Sequence, residues 1–416
     1  MNRTKLQQFI QTLGPGILFA STAIGVSHLV QSTRAGAEYG FSLILFVVAA
    51  NLFKYPFFEY GSRYANATNE SLIDGYAKIG RPMLWLYFFI TIGSMFFVSA
   101  AVGAVTSGFL QNLFGVGDWG MWTTAGLFAF CLILLLVGSY KALDSLIKII
   151  GLVLLISTVL AFSLALIQGS SHEIASVPFN DLLSGKSFVF IIALMGWMPT
   201  AVDLSTWISL WTEERIRQTG YKPTLKQSIA EFNLGYFISA ALALFFVVLG
   251  AYMLNGSGKE LPAGAGAFAH EVVGLFTGFI GDWSYLIIAA SAFSIMFGTC
   301  IAVFDGYGRS LERSLELLFV KEKSNHRTTL YRISLIVVIS GAFLIIFFFG
   351  KHMTQLVDLA TTISFLIAPI IAFVNFRLVT GNHIPAEAKP GKFMRILSWA
   401  GIIFLTGFAV VYAMNS

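Results

Sequence analysis

Apolar runs of about twenty residues, parted by short polar or Gly- and Pro-bearing stretches, recur from one end of the chain to the other. A bilayer core about 30 Å thick is crossed by about 20 helical residues, so each run reads as one crossing. They fall at 14–33, 38–62, 83–113, 120–139, 142–168, 187–211, 226–254, 279–304, 329–350, 353–378 and 393–414, numbered here as segments 1 to 11. A closed β-barrel would instead show short alternating stretches, which are not the pattern. Between segments 7 and 8, residues 262–278 are short and Gly-rich and read as an extracellular helix or loop. Segments 1 to 5 and 6 to 10 occupy comparable lengths, and because five is odd the second set enters the membrane from the opposite face. The expectation is an all-α polytopic membrane protein, one transmembrane domain over 1–416. Within it lie an inverted repeat of about 14–168 and 187–378 and an added helix at 393–414.

Two segments at corresponding places in the halves are interrupted, the first at Gly25-Val26-Ser27-His28 and the sixth at Met198-Pro199-Thr200. Proline removes a backbone donor and leaves carbonyls such as that of Met195 without intrahelical partners. Paired interruptions of this kind point to a transporter site near the midplane. Asp203 follows four residues after the proline, and a carboxylate in a span is costly enough to be a functional candidate; the alternative is a helix cap. Thr200, Asp203 and Trp207 share a helical face. Met198 offers a thioether and His28, beside Ser27, an imidazole, with carbonyls near Gly25 and Met195 as further ligands. That set suits a transition metal, whereas oxygens alone suit Mg²⁺ or Ca²⁺. Packing is the competing role for Met198, and a hydrogen bond to a neighbouring helix is the competing role for His28. Glu59 with Arg63, and Asp305 with Arg309, fall at the inner ends of segments 2 and 8 as gate or network pairs. Lys54, at the same end of segment 2, reads as a further member of such a network, with interfacial snorkelling as its competing role.

Composition narrows the class. Of 416 residues 56% are hydrophobic and 11% charged, far below the quarter charged of soluble domains. Cys131 and Cys300 both lie in apolar runs and read as small buried hydrophobes. The net charge of +5 is explained by loop bias, so no nucleic acid partner is expected. With the N-terminus in the cytoplasm, 22 of the 26 Lys and Arg fall inside and only Arg34, Lys186, Lys259 and Lys351 outside, which also puts the C-terminus outside. The expected location is the bacterial inner (plasma) membrane, with lipid as one partner and a small ion or solute as the other; monomer and homodimer both stay open. His-Glu-x-x-His, Gly-x-Ser-x-Gly and phosphate-loop patterns are missing, so neither an enzyme nor a resident cofactor is expected.

Several motifs resemble the Nramp divalent-metal transporter superfamily, in the manner of its Nramp-related magnesium transporter branch. They are Gly14-Pro15-Gly16 and Ala35-Gly36-Ala37-Glu38-Tyr39-Gly40 around segment 1, the run from Lys54 to Tyr64, Met198-Pro199, and Phe304-Asp305-Gly306-Tyr307-Gly308-Arg309. The resemblance implies a leucine-transporter-type fold with unwound helices 1 and 6. It also implies metal ligands from Asp-Pro-Gly-Asn in helix 1 and Met-Pro-His in helix 6. Here those places hold Gly25-Val26-Ser27-His28 and Met198-Pro199-Thr200, so only Met198 carries over directly. Asp203 is expected to replace the missing charge, and His28 stands where the family has Asn. In helix 3, where proton-coupled members are acidic, the register gives Ser99 and Val102, so transport is expected to be uncoupled or coupled by another route.

The first functional expectation is alternating-access transport of a divalent cation of the Mg²⁺ or Mn²⁺ class, moved partly hydrated because Mg²⁺ dehydrates reluctantly. The second is a small organic solute, cationic in one version, with Trp197, Trp207 or Trp211 as an aromatic wall. The third is a non-transporting receptor or scaffold on the same fold.

Overall fold

The computed structural model describes residues 14–137, 140–170, 172–259, 261–320, 327–349 and 352–415. Arg3, Lys5, Lys321, Lys323 and Lys351, used in the charge count, lie outside the described residues. Among the described residues all regular elements are helical.

In chain order they are α1 (Pro15–Ala23), α2 (Thr33–Tyr39), α3 (Ile44–Thr68), α4 (Leu72–Ile79), α5 (Arg81–Phe114), α6 (Met121–Val137), α7 (Tyr140–Gln168) and α8 (Phe179–Leu182). They continue with α9 (Gly185–Gly196), α10 (Ser205–Thr219), α11 (Leu225–Met253), α12 (Ala265–Ile280), α13 (Tyr285–Phe319), α14 (Arg327–Phe349), α15 (Met353–Thr380) and α16 (Lys392–Asn415). Segment 1 is thus α1, a π-helical turn Ser27–Ser32 and α2, and segment 6 is α9, a break and α10. Segments 2 to 5 are α3, α5, α6 and α7, and segments 7 to 11 are α11, α13, α14, α15 and α16. Of the two readings of 262–278, helix or loop, the structure shows the helix α12, packed on α5 where Gly108 lets the Ala265 backbone approach. Leu52, Phe89, Phe130, Ile156, Phe237 and Leu344 face outward from the bundle, while Lys54, Glu59 and Asp203 are buried inside it, the inside-out polarity of a protein solvated by lipid.

Three boundaries differ from the pattern's, and each moves a charge. Gly40, at φ +57°, turns the chain sharply, so segment 1 runs on to Tyr39 and α3 begins only at Ile44. Helix α3 continues to Thr68 because Asn69 closes it in the left-handed conformation. Lys54 therefore sits mid-helix, fully buried, and does not snorkel; Glu59 and Arg63 are likewise inside the helix and not at its end. Helix α13 runs to Phe319, so Asp305 and Arg309 are interior to it, their i,i+4 pair carrying the helix through its first polar turn.

Segment 1 lies along α11. A Cβ at Gly36 would run into the Val247 carbonyl, and one at Gly250 into the Thr33 carbonyl, so these two positions let the backbones touch. On the other repeat, Gly196 meets the Thr361 carbonyl of α15 in the same way.

Candidate substrate site at the two helix breaks

Helix α1 stops at Ala23, and the chain passes through Ile24 and Gly25 before winding again. A Cβ at Gly25 would strike the Thr299 side chain of α13, and the Thr299 hydroxyl donates to the Ser21 carbonyl at 2.9 Å. The carbonyl of Gly25 itself is taken by the His28 and Leu29 amides at 3.1 and 2.9 Å.

At the second break α9 ends at Gly196, Met198 and Pro199 are joined by a cis peptide, and a 3₁₀ turn Val202–Leu204 leads into α10. Here a lysine does what the hydroxyl does at the first break. The Lys54 ammonium donates to the carbonyls of Met195 at 3.0 Å, Gly196 at 2.9 Å and Thr200 at 2.6 Å. The Met195 carbonyl is therefore occupied by protein.

Between the breaks lies a cavity lined by Thr22, Val26 and Ser27 of segment 1, Val98 and Val102 of α5, Trp197, Thr200, Ala201 and Leu204 of segment 6, and Thr299 and Val303 of α13. Its polar groups are the hydroxyls of Thr22, Ser27, Thr200 and Thr299 and none of its lining residues is charged. Among the described residues no group of three or more His, Cys, Asp or Glu is arranged to hold a metal ion.

Of the residues singled out from sequence, Ser27 and Thr200 line the cavity and Gly25 forms the break beside it. His28 is fully buried, its Nδ1 on the Ser27 hydroxyl at 2.8 Å and its Nε2 on the Ser239 carbonyl of α11 at 2.8 Å. A carbonyl only accepts, so Nε2 carries a proton and both ring nitrogens are engaged. The Met198 sulfur, also fully buried, receives the Ser32 hydroxyl at 3.8 Å. Asp203 is buried in the 3₁₀ turn after the break and does not line the cavity; the Tyr307 hydroxyl donates to it at 3.3 Å and the Lys54 charge attracts it. Trp197 forms part of the wall and donates its indole N–H to Ser364 at 2.9 Å, whereas Trp207 packs edge-on against Tyr307.

The expected network pairs form, each with a tether to another element. Arg63 grips Glu59 and donates to the Ala388 carbonyl at 2.7 Å, and Asp305 holds Arg309 at 2.8 Å and accepts from Tyr331 at 2.6 Å. Links between distant elements are the ones sequence reasoning missed. Arg34 bridges to Asp358 of α15 at 2.7 Å, joined there by Gln31, and Arg313 of α13 bridges to Asp74 of α4. The Glu231 carboxylate of α11 accepts the amides of Gly14 and Gly16 at 2.9 Å and Ile17 at 3.3 Å, capping the start of α1.

The family model described as natural resistance-associated macrophage protein-like matches residues 16–415. The chain belongs to this Nramp-like family. An uncharacterized protein of Pasteurella multocida is 34% identical over 406 residues, covering 96% of this chain and 91% of its own length. The fold is similar to that of the manganese transporter of Eremococcus coleocola, with a TM-score of 0.72 at 13% identity over 99% of this chain and 87% of that one. It is also similar to MhsT bound to L-phenylalanine, with a TM-score of 0.66 at 11% identity over 96% of this chain and 98% of that one. This is the leucine-transporter-type fold that the family resemblance implied, in an integral membrane protein of a transporter family. Within this Nramp-like chain, segment 3 presents Val102 to the cavity and buries the Ser99 hydroxyl without a partner among the described residues.

Proposed function

We propose that this Nramp-like protein is an alternating-access transporter carrying a divalent metal cation, of the Mg²⁺ or Mn²⁺ class, through the cavity between its two broken segments. The observation that carries the reading is the pair of breaks facing one another across four hydroxyls, in a chain of this family. Family membership and the manganese transporter of similar fold support a metal as cargo. The cargo keeps much of its water. A bare dication in a low-dielectric site needs compensating charge, and the lining offers only neutral oxygens. Asp203 acts from behind the wall, its charge shared with Lys54. Coupling by the family's usual helix 3 acids has no residues to run on at Ser99 and Val102. The charge split orients the N-terminus to the cytoplasm of a bacterial inner membrane.

One observation favours a second reading. Trp197, Val26, Val98, Leu204 and Val303 make most of the cavity wall apolar, as a small organic solute would require, and MhsT, of similar fold, was solved with L-phenylalanine.

Purified protein in proteoliposomes decides between them. Mn²⁺ or Mg²⁺ influx is expected, with Thr200→Val raising the half-saturating concentration about tenfold, the worth of one well-placed polar contact. Absence of divalent flux, together with thermal stabilisation by amines or amino acids alone, assigns the second reading.

A further inference from the structure

The cluster of three carbonyls around Lys54 has the form of a cation site already filled. Met195 and Gly196 supply the last carbonyls of α9, the negative end of its dipole, and Thr200 supplies a carbonyl from beyond the proline, so the cage is closed from both sides of the break. The separations of 2.6 to 3.0 Å are those of an ammonium hydrogen-bonding to oxygen and exceed the 2.0–2.1 Å that Mg²⁺ demands. Three donors meet three acceptors, which uses all the hydrogen-bonding capacity of the amine. The group is fully buried, its stem threaded from the middle of α3, and Asp203 attracts it without forming a direct ion pair.

We propose that the Lys54 ammonium is a resident, tethered cation of the broken sixth segment. It fills a carbonyl cage that would otherwise bind a solvent cation of ammonium size, and so holds the break open without a dissociable ion. Carbonyls at a membrane break need a donor or an ion at all times, because hydrocarbon provides neither. Supplying that group covalently makes the shape of the break independent of ion concentration, and keeps these carbonyls out of the contacts made by cargo. The assignment holds whichever solute crosses the cavity, since its test reads stability and not transport.

The experiment uses full-length protein in detergent. Lys54→Ala empties the cage while leaving a channel for a small cation, and Lys54→Met fills the stem volume with no charge. In choline buffer both variants are expected to melt several degrees below wild type. Adding methylammonium or ammonium chloride restores most of the loss in Lys54→Ala, leaves Lys54→Met low, and does not move wild type. Should Lys54→Ala fail to fold in choline, its recovery as monodisperse protein by extraction in methylammonium gives the same answer. Two results overturn the proposal: a Lys54→Met variant as stable as wild type, or a Lys54→Ala variant that no small cation rescues by either readout.

Discussion

At Asp203 the carboxylate accepts one hydroxyl, from Tyr307, and feels the Lys54 charge, and it is not among the residues that line the cavity. Two opposite charges kept at membrane depth are coupled, and a cycle of Asp203→Asn, Lys54→Met and the double variant measures how strongly. The expected coupling is about 0.5–3 kcal/mol, the double variant being more stable than the two single losses sum to; strict additivity of the thermal midpoints excludes it. His28 gives a contrasting case. Its ring joins Ser27 to Ser239, so His28→Ala removes two buried hydrogen bonds and is expected to cost about 1–3 kcal/mol while leaving cargo affinity unchanged. A large rise in half-saturating concentration with no loss of stability would assign the ring to the cargo instead. Asp203 stood out in the sequence because an acid in an apolar run is rare. Lys54 was equally conspicuous, but a boundary set at 62 placed it near a helix end where lysines snorkel, and its partners lie more than 140 residues away.

Among the elements, α1 is held differently from the rest of its segment. Its first amides converge on Glu231, a carboxylate at the positive end of a helix dipole, and the Ser21 carbonyl near its last turn is held by Thr299. Glu231→Gln keeps the shape and removes the charge, weakening bonds worth about 1.5–3 kcal/mol to a charged acceptor. The freed helix is expected to expose the cavity, so that a cysteine at Thr22 reacts with a thiol reagent about tenfold faster than in the Glu231 background. The native Cys131 and Cys300 are buried and give a low baseline. An unchanged rate shows that Glu231 does not restrain α1. The eleven long segments and both breaks were legible from run length, Gly25 and Pro199, since these signals are local, whereas the short helices α4 and α8 carry no apolar run and were not. The cap from Glu231 was not, because which carboxylate of a later segment reaches a helix start depends on how α1 and α11 pack.

For the molecule as a whole, the two ends of the bundle are tied by different ion pairs: Arg34 to Asp358 at the α2 end, and Arg313 to Asp74 at the end that carries α4. Alternating access requires that one tie release while the other holds, so each pair biases the population of open states. A partly exposed pair of this kind contributes about 1 kcal/mol, enough to change an open fraction roughly fivefold. Arg34→Gln is therefore expected to raise labelling of a cysteine at Val98 by an impermeant reagent from one membrane face only, and Arg313→Gln from the other. With the N-terminus cytoplasmic, the Arg34 variant labels when reagent is added to right-side-out vesicles, and the Arg313 variant when it is added to inverted ones, whose cytoplasmic face is outward. Labelling from the reversed faces would invert the proposed orientation while keeping the two ties. An equal rise in labelling from both faces in a single variant would show that its ion pair does not bias the alternation, since a tie at one end of the bundle shifts the population toward one face only.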